Sequence, residues 1–388
     1  MNDNMRRLFI VLLWISVVGC FVQCASTYNN AIDEYEIIFN PEGKWSFSST
    51  VAIDTNTFAI SSYRLRIPFC ETTKNGTIIV GADIREGTAS DQTKISIGIV
   101  RSTDGGRSFS DAKIIIPHTE ESDWDRAMDG TILVDSHTGR IFVFAHRVLT
   151  KVVWEQIHTM GDYGFSCQYV YSDDDGITWS EPKELRNVLT CNIPYIVSIF
   201  GGVGHGITMK DGTLVLPIQC KMAMDYNADV FNIQSGIIYS KDNGKTWTLS
   251  TTLVPCYSSE NMVVEYKPGE LMTNCKSYIG HRRVYVTPDM GDTWTAHETD
   301  STLIEPYACQ GTLHKIGNWG FFLNPNNSES RSNLTLQITD DFDRWKPVVE
   351  LYPEKCFGYS CVCNNGKVIY AALEMNGEFI TLHKVEND

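Results

Sequence analysis

Positive charge is scarce in this sequence. Lysine and arginine supply 32 of its 388 residues, against 47 aspartates and glutamates, which leaves a formal net charge of −15. A surface of that sign repels nucleic acid and anionic membranes, so neither is expected as a partner of the chain as a whole. Any anionic ligand must instead be met by a local cluster of cations.

Low-complexity tracts, linkers rich in proline or serine, and long amphipathic helical patterns are also missing. Hydrophobic residues make up 43% and aromatic residues 11% of the chain. This composition supports a large buried core and excludes an intrinsically disordered protein. The absence of a linker favours one domain over the two or three that the length alone suggests.

One apolar run of nearly membrane-spanning length occurs, close to the N-terminus. Two arginines precede an apolar stretch over residues 8–22, which is the order of a secretory signal peptide. We predict a signal over residues 1–24, with an uncut signal anchor and a lipidated Cys20 as alternatives. Because no second run of this length follows, we expect no membrane insertion of the main domain. The protein is predicted to be secreted or held at the cell surface.

The cysteine count carries information about disulfides. Removal of the predicted signal leaves ten of twelve cysteines, and an even number in a chain routed to an oxidising compartment predicts some disulfides. Cys356, Cys361 and Cys363 crowd together, but no histidine lies at zinc-finger spacing from them, so bridges are favoured over a metal site. Acceptor triplets for N-glycosylation begin at Asn75, Asn326 and Asn333.

An eight-residue turn recurs along the chain. Its four good copies are STDGGRSF at 102–109, SDDDGITW at 172–179, SKDNGKTW at 240–247 and TPDMGDTW at 287–294, and a degraded fifth copy begins at Thr339. Each copy follows a short segment with the alternation or the β-branched composition of a strand. The sequence therefore predicts a repeated hairpin unit.

The residue types of the repeat fit a locked turn. Ser or Thr and Asp side chains bond to backbone groups within the turn, Gly supplies a positive φ, and the aromatic residue can fold back onto its own sheet. A calcium loop is the alternative for Asp173, Asp174 and Asp175, but no glutamate follows at the EF-hand distance.

The spacing of the copies predicts the architecture. Successive copies begin 70, 68, 47 and 52 residues apart, each long enough for one four-stranded sheet. The 364 residues after position 24 divide into six units of about 61 residues. We therefore predict an all-β fold: a six-bladed β-propeller over residues 25–388, in a single domain.

More specific motifs resemble those of the exo-α-sialidases (neuraminidases) of bacterial, protozoan and animal type. The segment Tyr-Arg-Leu-Arg-Ile-Pro at 63–68 is similar to the family's Arg-Ile-Pro motif, which implies that Arg66 binds the carboxylate of sialic acid. Residues 82–91 resemble the segment with the acid/base aspartate. The resemblance implies that Asp91 is the acid/base and that Arg85 lines the hydroxyl side of the sugar.

The C-terminal half continues this resemblance. The segment over 256–265 is similar to the one that supplies the glutamate partner of a catalytic tyrosine, which implies that role for Glu260. Arg331 looks like the third carboxylate-binding arginine, and Tyr359 looks like the nucleophile. Glu374 fits the glutamate that steadies the first arginine.

One position departs from the family's pattern. The second arginine of the carboxylate-binding triad falls on Lys276, with Arg282 and Arg283 as neighbouring cations that could reach in instead. Lysine keeps the charge but gives up the planar two-point grip that a guanidinium has on a carboxylate. We expect weaker substrate binding from this change.

The residue types also suit the chemistry independently of the resemblance. Sialic acid carries a carboxylate on its anomeric carbon, so a neutral phenol approaches that carbon more easily than an anionic Asp or Glu does. Because a free phenol has a pKa of about 10, it needs a nearby base. We predict a retaining hydrolysis in which Tyr359 attacks, Glu260 takes its proton and Asp91 serves as acid and then base.

The sequence thus predicts an exo-α-sialidase that acts on sialylated glycoconjugates and needs no cofactor or metal. A trans-sialidase is one alternative, although Glu329 stands where trans-sialidases of the family have a tryptophan. A catalytically impaired propeller that binds sialoglycans as a lectin is the other alternative, suggested by Lys276.

Overall fold

Strands dominate the part of the chain that the structure describes. This computed structural model describes residues 37–54, 63–120, 122, 125–149, 151, 166–185, 193, 196–223 and 233–388. The predicted signal over residues 1–24 lies outside the described residues. Within the described ranges there is no helix, and hence none long and apolar enough to cross a membrane. By its contacts the chain divides after Ile38, and every strand belongs to the unit Phe39–Asp388.

The largest sheet comes from the first half of the chain. After β1 (Trp45–Asp54), which belongs to another sheet, the strands are β2 (Tyr63–Thr72), β3 (Ile78–Glu86), β4 (Ile95–Ser102), β5 (Lys113–Ile116), β6 (Arg126–Val134), β7 (Ile141–Val148), β8 (Ser166–Ser172) and β9 (Lys183–Glu184). They pair in the order β2-β3-β4-β6-β7-β8-β9, with β5 beside β4. Two antiparallel meanders, β2–β5 and β6–β9, are joined by one parallel bridge between Ile95 and Arg126.

A five-stranded sheet comes next. Its region contains β10 (Ile196–Gly201), β11 (Gly204–His205), β12 (Ile207–Thr208), β13 (Leu214–Met222), β14 (Ile233–Ser240) and β15 (Thr248–Leu249). The order is β10-β13-β14-β15, with β12 beside β13. The short β11 pairs in parallel with β6 of the preceding sheet. The glycine-rich stretch at 201–206 therefore leads from β10 through β11 to β12.

Two four-stranded antiparallel meanders follow in chain order. The first comprises β16 (Asn261–Lys267), β17 (Glu270–Cys275), β18 (Arg283–Thr287) and β19 (Thr295–Ala296). The second comprises β20 (Thr312–Ile316), β21 (Trp319–Pro325), β22 (Leu334–Thr339) and β23 (Lys346–Tyr352).

The last sheet joins the two ends of the described chain. Its strands β24 (Ser360–Asn365), β25 (Val368–Met375) and β26 (Phe379–Asn387) are completed by β1, whose Trp45 lies opposite Asn387. Pairing with β1 covers the backbone edge of β26 and leaves β1 and β24 as the outer strands of the sheet. The result is an all-β, β-propeller-like arrangement.

The core lies between neighbouring sheets. One apolar cluster joins Leu133 and Phe142 of the largest sheet to Leu216 and Ile238 of the five-stranded sheet. Strands such as β13 are buried along their whole length, because both faces of an inner strand meet other residues. Such strands show continuous apolar runs in place of alternation.

The repeated turns form the predicted locks. In the first copy, Asp104 Oδ1 accepts hydrogen bonds from Ser102 Oγ at 2.8 Å and from the backbone N–H of Ser108 at 3.0 Å, while Gly106 N–H donates to Ser102 Oγ at 2.8 Å. The same pattern recurs around Asp174, Asp242 and Asp289. Each lock follows the third strand of a meander, which confirms the predicted hairpin unit.

The aromatic residue of the turn reaches further than predicted. Trp247 packs edge-on against Phe142 and Phe144, with ring centroids 5.8 and 5.1 Å away. Both phenylalanines belong to β7 of the preceding sheet. The indole therefore joins two sheets and does not simply cover its own, since its apolar cluster contains residues of both.

The prediction of disulfides is wrong for eight of the described cysteines, which are free thiols: Cys70, Cys167, Cys256, Cys275, Cys309, Cys356, Cys361 and Cys363. Six of these eight are buried and pack as small hydrophobic residues. Cys70 and Cys361 lie side by side, each thiol donating to the carbonyl oxygen of the other residue at 3.2 and 3.4 Å.

Candidate active site

A cavity of about 460 Å³ lies where strand ends and loops of several sheets meet. Its wall contains six of the eight residues that the sequence singled out: Arg66, Asp91, Glu260, Lys276, Arg331 and Tyr359. These residues come from positions spread over nearly three hundred residues of the chain. The described fold therefore brings most of the predicted site together.

Tyr359 and Glu260 form a buried pair in this wall. Each residue directly precedes an antiparallel strand, β24 and β16 respectively, and the Tyr359 hydroxyl donates to Glu260 Oε1 at 2.7 Å. Burial, and next the negative charge of Glu260, raise the pKa of Tyr359 well above its usual value, although the nearby cations oppose the shift. The phenol is therefore neutral near pH 7, and Glu260 is placed to accept its proton.

Lys276 occupies the corner next to this pair. It directly follows β17, and its backbone N–H donates to the carbonyl of Glu260 at 2.8 Å. Its ammonium donates to the Tyr359 hydroxyl at 3.1 Å and lies 2.9 Å from Glu260 Oε2. Burial lowers the pKa of Lys276, but Glu260 and then Tyr359 and Tyr278 together outweigh burial and raise it well above its usual value, so the side chain stays charged.

Arg66 is held by the buried carboxylate of Glu374. Arg66 Nε donates to Glu374 Oε2 at 2.9 Å, and the same oxygen accepts the backbone N–H of Ile67 at 3.0 Å. A bulge in β2 places Ile67 at a φ of 56°, which is unfavourable for a β-branched residue. Glu374 Oε1 also accepts the backbone N–H of Tyr359 at 3.1 Å, so one carboxylate positions both Arg66 and Tyr359.

Arg331 completes the cationic wall. Its guanidinium donates to the carbonyl oxygens of Phe357 at 2.9 Å and Ala308 at 2.7 Å. The guanidinium carbons of Arg331 and Arg66 lie 5.6 and 5.2 Å from the centroid of the Tyr359 ring. Three cations thus surround one phenol, which suits a cavity that receives an anionic ligand.

Asp91 lies at the cavity with its side chain 66% exposed. Arg85 donates to Asp91 Oδ1 at 2.6 Å. Partial withdrawal from water raises the pKa of Asp91, but Arg85, and then Arg66, outweigh that effect and lower it. The carboxylate is therefore ionised at neutral pH in the unliganded protein.

Arg85 lies behind Asp91 and outside the cavity wall, and its expected place on the hydroxyl side of the sugar stays a prediction. Its side chain is fully buried and does not line the cavity. It donates to Asp83 at 2.9 Å, to the carbonyl of Ala89 at 2.7 Å and to Asp91. Through its bonds to Ala89 and Asp91, Arg85 holds the loop that carries Asp91.

The two arginines near Lys276 do not replace it at the cavity. Arg282 is fully buried and donates to Glu305 at 2.7 Å and to Asn274 at 2.6 Å. Arg283 pairs with Asp300 at 2.8 Å. Lys276 is thus the residue that occupies this part of the wall.

Sequence reasoning missed several polar residues of the wall. Arg126 and His146 line the cavity, and Asp129 lies in the wall beside them. The segment Asp-Arg-Ala-Met-Asp at 125–129 interrupts an apolar strand with charges, which was an available signal. Burial, and then Arg126, lower the pKa of His146 to about 3, so this imidazole is neutral.

Comparison with known proteins gives the family. Residues 70–345 match the BNR repeat-like domain. A sialidase of Paraclostridium sordellii is 33% identical over 349 residues, covering 84% of this chain and 85% of that protein. A sialidase of Clostridium perfringens is 32% identical and covers 82% of this chain and 87% of that protein.

Solved structures agree with this result. The Hadza microbial sialidase Hz136 superposes with a TM-score of 0.75 at 30% identity over 84% of this chain, which spans 66% of that structure. Trypanosoma rangeli sialidase, in complex with the inhibitor DANA, has a similar fold with a TM-score of 0.75 at 23% identity, and this chain spans 59% of it. The chain belongs to the sialidase family of glycoside hydrolases.

Proposed function

We propose that the protein is an exo-α-sialidase that removes terminal sialic acid from glycoproteins, glycolipids or oligosaccharides with retention of configuration. The observation that carries the proposal is the Tyr359–Glu260 hydrogen bond of 2.7 Å inside a cavity walled by Arg66, Lys276 and Arg331. A phenol paired with a base and surrounded by cations suits attack on an anionic sugar.

The carboxylate of the sugar would occupy the cationic wall. Arg66 and Arg331 each bring a guanidinium to the cavity, and Lys276 brings an ammonium. Binding there would place the adjacent anomeric carbon over the Tyr359 hydroxyl. Fixing the carboxylate and the ring together favours the planar, cationic transition state.

The first step is glycosylation of the tyrosine. Tyr359 Oη bonds to the anomeric carbon as its proton passes to Glu260, and the bond from that carbon to the leaving oxygen breaks. Asp91 in its protonated form, whose fraction grows as the pH falls, gives a proton to the leaving oxygen. The leaving sugar departs as a neutral alcohol, and the sialic acid remains joined to Tyr359.

The second step is hydrolysis of that bond. Asp91, now ionised, takes a proton from a water molecule whose oxygen attacks the anomeric carbon. The bond to Tyr359 Oη breaks, and the phenol recovers its proton from Glu260. The configuration of the sugar is retained after two displacements.

An assay with a fluorogenic aryl α-sialoside tests this function. Release of free sialic acid by the full chain, with none released by Tyr359→Phe, is the expected result. If the protein released none and yet was retained on a column of sialylated ligand, it would be a sialoglycan-binding lectin. Transfer of the sugar to added lactose in preference to water would identify a trans-sialidase.

We also propose six blades. The two meanders β2–β5 and β6–β9 are joined by a single bridge between Ile95 and Arg126, which supports counting them as two blades. With the other four sheets, this count agrees with the repeat spacing. A crystal structure tests the number of blades: the two meanders should separate beyond this bridge if they are two blades, and should continue as one sheet if they are not.

Secretion remains a proposal as well. It rests on the signal pattern over residues 1–24. The intact mass of the mature protein tests it, because cleavage near Cys24 removes the first 24 residues, whereas an anchor leaves them in place.

A further inference from the structure

The backbone of Lys276 pairs with that of Glu260, the base of the proposed reaction. Its backbone N–H donates to the Glu260 carbonyl at 2.8 Å, and its own carbonyl accepts the N–H of Ser259 at 3.1 Å. The neighbouring strands continue this pairing, with Asn261 opposite Cys275. The two side chains therefore leave adjacent strands next to each other and point into one cavity.

The ammonium of Lys276 contacts both members of the Tyr359–Glu260 pair, so the three side chains contact one another. It donates to Tyr359 Oη at 3.1 Å and lies 2.9 Å from Glu260 Oε2, while Tyr359 Oη donates to Glu260 Oε1 at 2.7 Å. The two arginines meet the tyrosine differently. All three cations lie over the ring, with Lys276 Nζ 5.6 Å and the guanidinium carbons 5.2 and 5.6 Å from its centroid. The arginines, however, donate their hydrogen bonds to Glu374 or to carbonyl oxygens.

We infer that Lys276 is a positioning residue for the proton transfer from Tyr359 to Glu260, and that Arg66 and Arg331 supply most of the grip on the substrate carboxylate. The inference rests on the proposed function and assigns Lys276 a role beyond carboxylate binding. It also gives a reason for lysine at a position where relatives are expected to have arginine.

The charge balance of the step supports this role. When the proton moves from Tyr359 Oη to Glu260 Oε1, the negative charge moves from the carboxylate to the phenolate oxygen, and Lys276 keeps its own proton. The ammonium is in contact with both ends of this transfer. It can therefore stabilise the charge before and after the proton moves, without moving itself.

The chemistry of the two cations supports the division of labour. An ammonium is a compact point charge that can serve two oxygens on different residues, whereas a guanidinium is a planar fork that matches one carboxylate. The cations beside Tyr359 oppose the raised pKa of its phenol. Removing Lys276 would therefore make the phenol harder to deprotonate.

Two charge-removing variants separate the roles. Lys276→Met removes the contact with Tyr359 and Glu260, and Arg331→Met removes a guanidinium that has no bond to either group in the described contacts. Thermal unfolding of both variants is measured first, and Lys276→Gln serves as the second variant where the methionine disturbs folding. Turnover of an aryl α-sialoside and the Kd for free sialic acid are then compared.

For Lys276→Met we expect kcat/KM to fall about 100-fold, in the range lost with one group of a proton transfer, while the Kd for sialic acid changes far less. For Arg331→Met we expect kcat/KM and sialic acid affinity to fall together. If Lys276→Met weakens sialic acid binding as much as it lowers kcat/KM, Lys276 binds only the carboxylate and the inference is wrong.

A measurement that does not depend on turnover, the ¹³C resonance of Tyr359, tests this inference separately from the proposed function. In protein labelled with ¹³C at the tyrosine ζ carbon, Tyr359→Phe identifies the Tyr359 resonance. Lys276→Met should shift that resonance at neutral pH, and Arg331→Met should shift it less. An unshifted resonance overturns the inference even if the wild-type enzyme is active, whereas a shifted one in a protein without sialidase activity overturns only the proposed function.

Discussion

The hydroxyl of Tyr359 donates to Glu260 across 99 positions of the sequence, at 2.7 Å. The two residues come from the starts of two different sheets, so their contact depends on the arrangement of the sheets around the cavity. A phenol is a poor nucleophile unless a base takes its proton. This pair is therefore the proposed reacting centre.

Tyr359→Phe removes the attacking oxygen and keeps the ring. We expect turnover of an aryl α-sialoside to fall by about 10³-fold or more, the scale seen when a nucleophile is removed, and the unfolding temperature to change little. Tyr352→Phe is the matched control because Tyr352 Oη donates to Glu354 at 3.5 Å and the residue does not line the cavity. Full activity in Tyr359→Phe would exclude this residue as the nucleophile.

Asp91→Asn removes the proposed proton donor. We expect a loss of about 100-fold or more with a sialyl-lactose substrate, whose leaving alcohol needs a proton. The loss should be smaller with an aryl sialoside, whose leaving phenolate is stable without one. Asp111→Asn changes an exposed aspartate outside the cavity and should have no effect. Equal losses with both substrates would contradict the acid role.

The pH dependence of kcat/KM follows from the lowered pKa of Asp91. Arg85 and Arg66 hold that pKa below its usual value in the free protein, so the fraction able to donate a proton falls as the pH rises. We expect kcat/KM to decrease from acidic to neutral pH, by at most about tenfold per pH unit. Asp91→Asn should abolish this decrease, and a profile unchanged by the substitution would assign it to another group.

Glu374→Gln keeps the shape but removes the charge that holds Arg66. Because Glu374 is fully buried and Arg66 nearly so, we expect a loss of about 3 kcal/mol in the free energy of unfolding. KM should rise as well, since Arg66 and the backbone of Tyr359 share this carboxylate. Urea unfolding and steady-state kinetics measure both effects. Glu378→Gln, at the turn just after β25, is the control.

Lys276→Arg places a planar guanidinium at the position where the family's second carboxylate-binding arginine is expected. We expect a lower KM for an α-sialoside, because two parallel hydrogen bonds to the substrate carboxylate become available. Steady-state kinetics measures the change, with Lys267→Arg, on an exposed end of β16, as control. An unchanged KM would mean that position 276 does not reach the carboxylate.

Local features of the fold could be predicted from the sequence. The turns around Asp104, Asp174, Asp242 and Asp289 make their hydrogen bonds within eight residues, so the side chains that form each lock stand next to one another in the sequence. Strands were predictable for the same reason, because β-branched and alternating segments directly precede each turn. The number of repeats then indicated a ring of sheets.

The candidate site was predictable only as a set of residues. Its members were found by the resemblance of short motifs. Arg66, however, contacts Glu374, which lies 308 positions away in the sequence, and no local sequence pattern predicts such a contact. The burial of Arg85 behind Asp91, the neutral His146 in the wall and the free thiol of Cys70 likewise depend on which residues of other strands pack against them.

The sequence by itself determined the repeated turns, the all-β architecture and the residue types suited to an anionic sugar, because these depend on contacts within a few residues and on composition. Only the tertiary structure decided which cation touches the hydroxyl of Tyr359. Lys276 meets Tyr359 and Glu260 because strands from separate sheets end at the same cavity, and the positions of those strand ends are set by packing between sheets.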